Sequence, residues 1–341
     1  MRTDLPLIGI TVGDPGGIGP EIIAKALAHS ALYHVCRPLV IGERTLMQEA
    51  AKIALVRLKL NSVNDPRQGV YRSGTMDVLD LGNFNLDLLR YGQISAVQGK
   101  ASYEYIHKAV ELALAGDIDA TVTGPIHKEA LQRAGYEYSG HTEIFAELTH
   151  TQDYAMMLVD GAFRVVHVTT HVSLRKAIEK INRIRVLKVI RLAYEALRRM
   201  GIREPRIVVA GLNPHAGEGG LFGMEEIEEI RPAVEEAKSE GLCVEGPLPA
   251  DTVFSKLRGG MYDIVVAMYH DQGHIPVKLS GFLLDPKSKS WLSMAGVNVT
   301  LGLPIIRTSV DHGVAFGKAG LGTANPQSMI EAIQLAARLC R

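Results

Sequence analysis

The chain has 341 residues, of which 47% are hydrophobic and 22% charged, as expected for a globular protein of about two domains. Lys plus Arg and Asp plus Glu number 37 each, and this zero formal net charge argues against a general nucleic-acid binder. No apolar run reaches the roughly 18 residues of a membrane span, and no signal-peptide pattern is visible. The three cysteines, Cys36, Cys243 and Cys340, form no CxxC pair, which favours reduced thiols in a cytoplasmic protein.

Short apolar runs alternate with longer helical patterns along the chain. Near-continuous runs of Val, Ile and Leu are typical of strands buried on both faces, and they predict strands at 7–12, 38–42, 120–123, 155–159, 164–169, 206–211 and 263–268. Helical spacing of apolar residues predicts helices at 95–116, 184–200, 224–240 and 327–339. The alternation predicts an α/β fold with a largely parallel sheet. The polar segment 283–295 is interpreted as a surface loop.

The segment IGITVGDPGGIGPE at 8–21 is the first glycine-rich element. A strand enters the turn, and Pro20 is a favourable first-turn residue for a following helix. A P-loop is excluded because no Lys-Ser/Thr follows Gly19, and a strict GxGxxG pattern fails as well. We therefore interpret the segment as a tight strand-to-helix turn, with a Rossmann cofactor site as the less favoured alternative.

Three histidines follow strand-like runs within polar or glycine-rich turns. They are His171 in VTTHVSLR, His215 in GLNPHAGEGG and His270 in AMYHDQGHIPVK. Imidazole is the commonest nitrogen ligand of zinc-class metals, and three of them with open positions suit a Lewis-acid ion. Asp271, beside His270, is expected to orient a ligand, to transfer protons or simply to cap a turn.

Two further stretches carry candidate anion-binding residues. Gly140-His141-Thr142 precedes an apolar-periodic segment, so we expect a helix N-terminus whose N–H groups and dipole favour phosphate, or else a plain Thr cap. Residues Lys278, Asn298 and Arg307 lie in or near a Gly/Pro-rich stretch. A buried Lys and a forked Arg are common phosphate partners, whereas each taken singly also fits a surface charge.

Several motifs occur together and in order: TGPIHKEAL, SGHTE, TTH, GLNPHAGEGG, GPLPADT, AMYHDQG and VNVTLGLPIIRTSVDHG. Together they closely resemble the 4-hydroxythreonine-4-phosphate dehydrogenase family, over residues 10–335. The resemblance implies the fold of isocitrate/isopropylmalate-type decarboxylating dehydrogenases, with two α/β/α domains around a cleft in a homodimer. It implies a cofactor-side domain of 1–125 plus 300–341. It also implies a domain of 126–299 for metal, substrate and dimerisation.

The same resemblance implies roles for individual residues. The implied metal ligands, drawn from both subunits, are His171, His215 and His270. The implied substrate contacts are His141, Thr142, Lys278, Asn298 and Arg307. Asp251, Asp271 and Lys278 are the catalytic candidates. The loop 309–325 is similar to the one that holds the adenosine half of NAD, and its candidate cofactor-binding residues are His312, Gly313, Ala315 and Asn325.

Three features of this chain qualify the resemblance. Where the family often has Thr and Asp in the cofactor loop, this chain has Val314 and Gly317, so NADP stays open beside NAD because an acidic residue commonly binds the ribose of NAD. The segment 283–296 is longer than is usual in the family. His274 resembles the branch that acts on 4-phospho-D-threonate or 4-phospho-D-erythronate rather than on 4-phosphooxy-L-threonine.

The implied reaction is metal-dependent oxidation of the C3 hydroxyl of a 4-phosphorylated four-carbon acid, followed by decarboxylation. Three imidazoles favour Zn²⁺, Co²⁺ or Mn²⁺ over Mg²⁺, which prefers oxygen ligands. One alternative is a family dehydrogenase for an unphosphorylated or aromatic dihydrodiol acid, in which Lys278 and Arg307 would bind a carboxylate. Another is a non-catalytic metabolite-binding protein, which the complete set of three histidines disfavours. We expect no nucleic-acid or membrane partner.

Overall fold

A computed structural model describes residues 5–286, 290–294 and 296–340. The chain folds into two compact units. The first comprises the described residues up to Gln152, those of Ser293–Val297, and Leu303–Cys340; the second comprises the described residues of Asp153–Leu292, and Asn298–Gly302. The predicted domain boundaries after residue 125 and before residue 300 stay a prediction.

Strands and α-helices make up most of the regular structure of the described residues. The strands are β1 (Leu7–Thr11), β2 (Arg37–Gly42), β3 (Lys59–Val63), β4 (Thr75–Asp80), β5 (Ala120–Thr123), β6 (Ala155–Asp160), β7 (Phe163–His167), β8 (Ile207–Ala210), β9 (Val244–Leu248), β10 (Ile264–Ala267), β11 (Phe282–Asp285), β12 (Ser290–Met294), β13 (Val297–Leu301) and β14 (Ile306–Val310). The helices are α1 (Gly19–Leu27), α2 (Arg44–Ile53), α3 (Ala96–Ala115), α4 (Lys128–Arg133), α5 (His141–Leu148), α6 (Leu174–Lys180), α7 (Arg183–Arg199), α8 (Arg231–Ser239), α9 (Ala250–Arg258), α10 (His270–Gly281) and α11 (Gln327–Leu339).

The first unit contains strands in the order β3-β4-β2-β1-β5-β14, and every one of these pairs is parallel. Strands β1 and β5 are buried along their whole length, which explains their continuous apolar character. Helices α3 and α11 pack on these strands. Helix α3 ends as predicted at Gly116, whose φ of 76° is the left-handed conformation that glycine adopts at helix ends.

The second unit contains the strand order β6-β7-β10-β8-β9, with β13 beside β6. Strands β6 and β7 are antiparallel, and the pairs β7–β10, β10–β8 and β8–β9 are parallel. Buried valines of three neighbouring strands, Val165, Val208 and Val265, pack in its core. Because β7, β10 and β8 are parallel neighbours, their carboxyl ends meet at one edge of the sheet. The predicted α/β class with a largely parallel sheet is confirmed.

Two predicted elements differ from the structure. The helix expected over 224–240 begins with a π-helical turn, Glu226–Ile230, and continues as α8. Pro232, in the first turn of α8, has no N–H to donate to the carbonyl oxygen four residues earlier. The wider π-helical turn before it removes the need for that hydrogen bond. The loop interpretation of 283–295 is wrong for its described part, since β11 and β12 pair as a two-stranded sheet. Aromatic residue types such as Phe282 and Trp291 favour strands here. Residues 287–289 and 295 lie outside the described residues.

Within the described part of the chain, no helix combines the length and apolar character needed to cross a membrane. The three cysteines are free thiols, of which Cys36 is buried and Cys243 exposed.

Candidate active site

The first unit contains a group of buried polar side chains around Arg307 of β14. The Arg307 side chain is only 2% exposed, and its Nη2 donates a hydrogen bond of 2.8 Å to Oγ1 of Thr123 at the end of β5. The guanidinium carbon lies 5.5 Å from the centre of the Phe145 ring on α5, a cation–π distance. Burial lowers the Arg307 pKa to about 9, an effect that Glu143 opposes, so the guanidinium stays charged at neutral pH.

His141 is the first residue of α5, as the sequence predicted, and follows Gly140. Its ring hydrogen-bonds to the Gly124 backbone, whereas its Nε2 is buried without a hydrogen-bond partner in the described part of the chain. Burial, followed by the positive charge of Arg307, holds the His141 pKa well below its usual value, so the imidazole is neutral. Thr142 is buried in the same first turn. We call Thr123, His141, Thr142 and Arg307 the anion group, because its hydroxyls, imidazole and cation suit a phosphate or carboxylate.

The predicted cofactor loop, 309–325, also lies in the first unit. His312 Nδ1 is 3.0 Å from the Gly313 carbonyl oxygen, and Ala315 has a left-handed φ of 44°. Asn325 precedes α11, and its Oδ1 accepts the N–H of Gln327, the first residue of that helix, at 2.8 Å. The four predicted cofactor residues therefore belong to one irregular segment, and their contact with a cofactor stays a prediction.

A pair on α1 that sequence reasoning missed holds this loop. The Glu21 carboxylate accepts the N–H groups of Gly322 at 3.2 Å and Ala324 at 2.7 Å. Lys25 donates to the carbonyl oxygens of the same two residues at 2.9 and 2.7 Å, and to Glu21 at 2.8 Å. Glu21 and Lys25 lie four residues apart on an otherwise apolar helix, and this spacing alone does not indicate their partners in the loop.

Asp14, in the glycine-rich turn after β1, is a second residue that the sequence analysis did not single out. It is fully buried, and its Oδ1 accepts the Gly16 N–H at 2.9 Å and a longer bond of 3.4 Å from Gln98 Nε2. Burial raises the Asp14 pKa to about 6 against these two bonds. The predicted tight strand-to-helix turn is present, and Asp14 is the side chain that closes it.

The three predicted metal ligands lie beyond the carboxyl ends of three neighbouring strands in the second unit. His171 follows β7, His215 follows β8, and His270 begins α10 after β10. His171 and His215 are exposed and adopt left-handed φ values of 50° and 53°, which are uncommon for residues other than glycine. The shared edge explains why these histidines occupied equivalent positions in the sequence.

The histidine rings are only partly gathered within one chain. The His171 and His270 ring centroids are 5.7 Å apart, whereas the His215 ring lies 6.3 Å from Phe222. His270 Nδ1 is 2.7 Å from Asp271 Oδ1, the carboxylate–histidine arrangement that directs Nε2 toward a metal. Among the described residues, no three His, Cys, Asp or Glu are arranged to hold a metal ion. The donor chemistry fits a divalent metal, and the resemblance takes its ligands from two subunits.

The other predicted site residues of the second unit are more scattered. Lys278, on α10, has its Nζ 5.1 Å from the Phe282 ring centre. Asn298, on β13, has a buried Oδ1 without a hydrogen-bond partner in the described ranges. Asp251 is exposed in the first turn of α9. The structure therefore brings Asp271 to His270, while the roles of Lys278, Asn298 and Asp251 stay predictions.

His274 and His167 form a buried layer behind His270. The His274 and His270 ring centroids lie 3.6 Å apart in a stacked arrangement, and the His274 and His167 ring centroids lie 4.7 Å apart with the rings tilted. Nδ1 of His274 is 3.0 Å from the His270 carbonyl oxygen, and Nδ1 of His167 is 3.1 Å from that of Met156. Burial lowers the pKa of His274 to about 3 and that of His167 to about 4. His167 was missed because it directly follows the buried Val165 and Val166 at the end of a strand.

Comparisons with known proteins show the family to which the chain belongs. The family model described as "Pyridoxal phosphate biosynthetic protein PdxA" matches residues 34–336. The D-threonate 4-phosphate dehydrogenase of Cupriavidus necator is 49% identical over 340 residues, covering 99% of this chain and 98% of that protein. A crystal structure of a 4-hydroxythreonine-4-phosphate dehydrogenase from Burkholderia phymatum is 48% identical with a TM-score of 0.84, covering 98% of each chain.

A more distant solved structure bears on the alternative substrate class. A terephthalate 1,2-cis-dihydrodiol dehydrogenase from Burkholderia xenovorans is 30% identical with a TM-score of 0.68, covering 98% of each chain. The chain is therefore more similar to the two phosphate-substrate dehydrogenases than to this protein. The matched family model spans most of the chain, so the chain belongs to the PdxA family and is an oxidoreductase of that family.

Proposed function

We propose that this protein oxidises the C3 hydroxyl of 4-phospho-D-threonate or a closely related 4-phosphorylated four-carbon acid, and that the product then loses its carboxylate as CO₂. The observation that carries the proposal is the anion group, in which a buried Arg307 lies with His141 and Thr142 at the start of α5. The name of the Cupriavidus necator relative supports D-threonate 4-phosphate over the other candidates.

The anion group supports recognition of the substrate phosphate. Arg307 keeps its charge although it is 2% exposed, so it attracts an anion in surroundings of low dielectric. The backbone N–H groups of the first turn of α5 add donors and the positive end of the helix dipole. Binding energy from the phosphate, which takes no part in the oxidation, can then be used to orient the reacting hydroxyl.

The proposed chemistry divides between two bound groups and the side chains of the chain. His171, His215 and His270 would hold a divalent ion, which would supply Lewis-acid polarisation, and the loop 309–325 would hold NAD or NADP, which would supply the hydride acceptor. Lys278, Asp251 or Asp271 takes the hydroxyl proton. Asp271 also orients His270 through their 2.7 Å contact. 4-Phospho-D-threonate would yield dihydroxyacetone phosphate, whereas 4-phosphooxy-L-threonine would yield an amino-oxopropyl phosphate.

A homodimer forms part of the proposal because apolar side chains surround the histidine loops. The segments that follow His171, His215 and His270 present exposed large hydrophobics, namely Val172, Leu174, Ile178, Leu221, Phe222, Met224, Ile275 and Leu279. Of these, Leu279 is 81% exposed and Leu221 73%. We infer that these side chains together form an apolar surface of the kind that marks association sites. A second copy that covers this surface would bring histidines of both subunits to each metal site, as the family resemblance implies.

The test measures formation of NADH and NADPH with three substrates in parallel: 4-phospho-D-threonate, 4-phospho-D-erythronate and 4-phosphooxy-L-threonine. Each is measured with and without EDTA. Turnover of the non-amino acids, lost with EDTA and restored by Zn²⁺, Co²⁺ or Mn²⁺, is expected. Turnover of the amino acid alone would identify 4-phosphooxy-L-threonine, a compound of vitamin B6 synthesis, as the substrate. No turnover of all three with metal bound would favour an unphosphorylated or dihydrodiol acid, and undiminished turnover in EDTA would contradict the metal assignment.

A further inference from the structure

One chain of hydrogen bonds connects the three histidine loops of the second unit. Oγ1 of Thr169, two residues before His171, donates to the Met268 carbonyl oxygen at 2.9 Å. The Met268 N–H donates to Oε1 of Gln272 at 2.7 Å, and Gln272 lies two residues after His270. Nε2 of Gln272 then donates to the Gly211 carbonyl oxygen at 2.8 Å, where the His215 loop begins.

Glu226 continues this network into the His215 loop. Its Oε1 accepts the N–H groups of Leu212 and Asn213, both at 2.7 Å, and its Oε2 accepts Nδ2 of Asn213 at 2.9 Å. The carboxylate is fully buried, with 0% exposure. A buried carboxylate that receives three N–H donors forms charge-assisted bonds, which are about twice as strong as neutral ones. Glu226 therefore fixes the backbone immediately before His215.

The His215 loop needs such support because its backbone is strained. His215, Ala216 and Glu218 all have left-handed φ values, of 53°, 54° and 44°, and such residues cost on the order of 1 kcal/mol each. Glycines make room for the carboxylate. A Cβ on Gly217 would lie 2.8 Å from Glu226 Oε2, and one on Gly211 would lie 3.2 Å from Glu226 Oε1. The GLNPHAGEGG segment thus wraps the carboxylate of Glu226, which projects from the π-helical turn.

We propose that Glu226 and Gln272 are positioning residues that hold the His171, His215 and His270 loops of each chain in the conformation in which these histidines ligate a divalent metal ion. This inference rests on the proposed metal site. Gln272 fixes the start of α10, and with it His270, to the His215 loop, and Glu226 holds that loop in its left-handed conformation. Neither residue ligates the metal. Outer contacts of this kind typically govern metal affinity by about 10- to 100-fold.

The test compares the full-length wild-type protein with Glu226→Gln, Gln272→Met and the control Glu228→Gln, which changes an exposed carboxylate of the same helical turn. In Glu226→Gln the new side-chain NH₂ group faces Asn213 Nδ2, so that two donors meet and their hydrogen bond is lost. An Asn213 flip would turn its oxygen toward Glu225 Oε2, which now accepts Nδ2 at 2.8 Å. Gln272→Met keeps the side-chain volume and removes both bonds of the bridge.

Co²⁺ alone is titrated into each metal-free protein by calorimetry and by the visible absorbance of the bound ion. Thermal midpoints and molecular masses are measured on the same samples. We expect both variants to bind Co²⁺ about 10- to 100-fold more weakly, with turnover largely recovered at saturating Co²⁺, and Glu228→Gln to match wild type. Gln272→Met keeps the test decisive where Glu226→Gln does not fold.

Two results would contradict the inference in distinguishable ways. Variants with lower thermal midpoints but wild-type Co²⁺ affinity would mean that Glu226 and Gln272 stabilise the fold without affecting metal binding. The proposed function would then stand. Failure of the wild-type protein itself to bind Co²⁺ would remove the proposed metal site and the positioning role together.

Discussion

The two units prepare their polar groups in opposite ways. In the first unit, Arg307 and Thr123 are fully covered, and strands and a helix N-terminus hold the anion group in place. In the second unit, His171 and His215 are exposed on strained loops. The difference teaches that strand side chains and a helix N-terminus can gather the polar groups of the anion group within one chain. Histidines on loops are instead arranged by hydrogen bonds from outside the group and await a further contribution, which we assign to a second subunit.

The largest expected effect comes from removing one of the exposed histidines of the second unit. His215→Ala should lower metal-dependent turnover by about three orders of magnitude, because a Lewis-acid ion contributes several kcal/mol and each 1.4 kcal/mol is about tenfold. The fold should persist, because the side chain is exposed. His150→Ala is a matched control, since His150 is exposed with the same left-handed φ of 53°. Steady-state rates with added metal measure the effect, and near-normal turnover of His215→Ala in metal-free buffer would refute the assignment.

A change in the covered group should act on binding rather than on metal dependence. Arg307→Met should raise KM for the phosphorylated substrate by about 10- to 100-fold, because each bond to a charged group contributes about 1.5–3 kcal/mol. An unphosphorylated analogue should be affected far less. Arg37→Met is the control, because Arg37 also faces an aromatic ring, at 5.7 Å from that of Tyr71. Equal effects of Arg307→Met on both substrates would remove its phosphate role.

The regular elements were predicted where periodicity was strong. Strand β5 and helix α11 match their predicted bounds, whereas β3 was missed because its residues are largely half-buried or exposed and do not form an apolar run. The common edge that carries His171, His215 and His270 also followed from the sequence, because parallel strands send their following residues to the same side.

The contacts that support the site could not be predicted in the same way. Glu21 meets Ala324 from 303 positions away, and Gln272 meets Gly211 from 61 positions away. In a single sequence such residues look like ordinary helical Glu and Gln. Their partners are backbone groups, which carry no residue-type signal, so only the folded chain identifies these contacts.

Asp14 offers a test of how strongly the first unit's covered polar groups depend on pH. Its folded-state pKa of about 6 lies above the ordinary 3.8. This carboxyl therefore favours folding fully below pH 3.8, and the contribution is lost as pH rises through 6. Asp14→Asn should remove up to about 3 kcal/mol of this pH dependence. Denaturant unfolding from pH 4 to 8 measures it, with exposed Asp87→Asn as control, and an unchanged slope would contradict the buried, protonatable state.

The smallest expected effect concerns the cofactor loop and sharpens the comparison within the first unit. Gly317 is exposed, and a Cβ there would meet no atom within 4 Å, so a side chain fits without displacing the loop that Glu21 and Lys25 hold. Gly317→Asp should raise the ratio of kcat/KM for NAD over NADP by about tenfold, because a carboxylate accepts a ribose hydroxyl and repels a 2′-phosphate. Gly317→Asn separates hydrogen bonding from charge and should shift the ratio less.

Kinetics with both cofactors at fixed substrate measure these ratios. A ratio that neither variant changes would mean that the ribose lies elsewhere than this loop. The preformed architecture of the first unit would then serve the substrate anion alone.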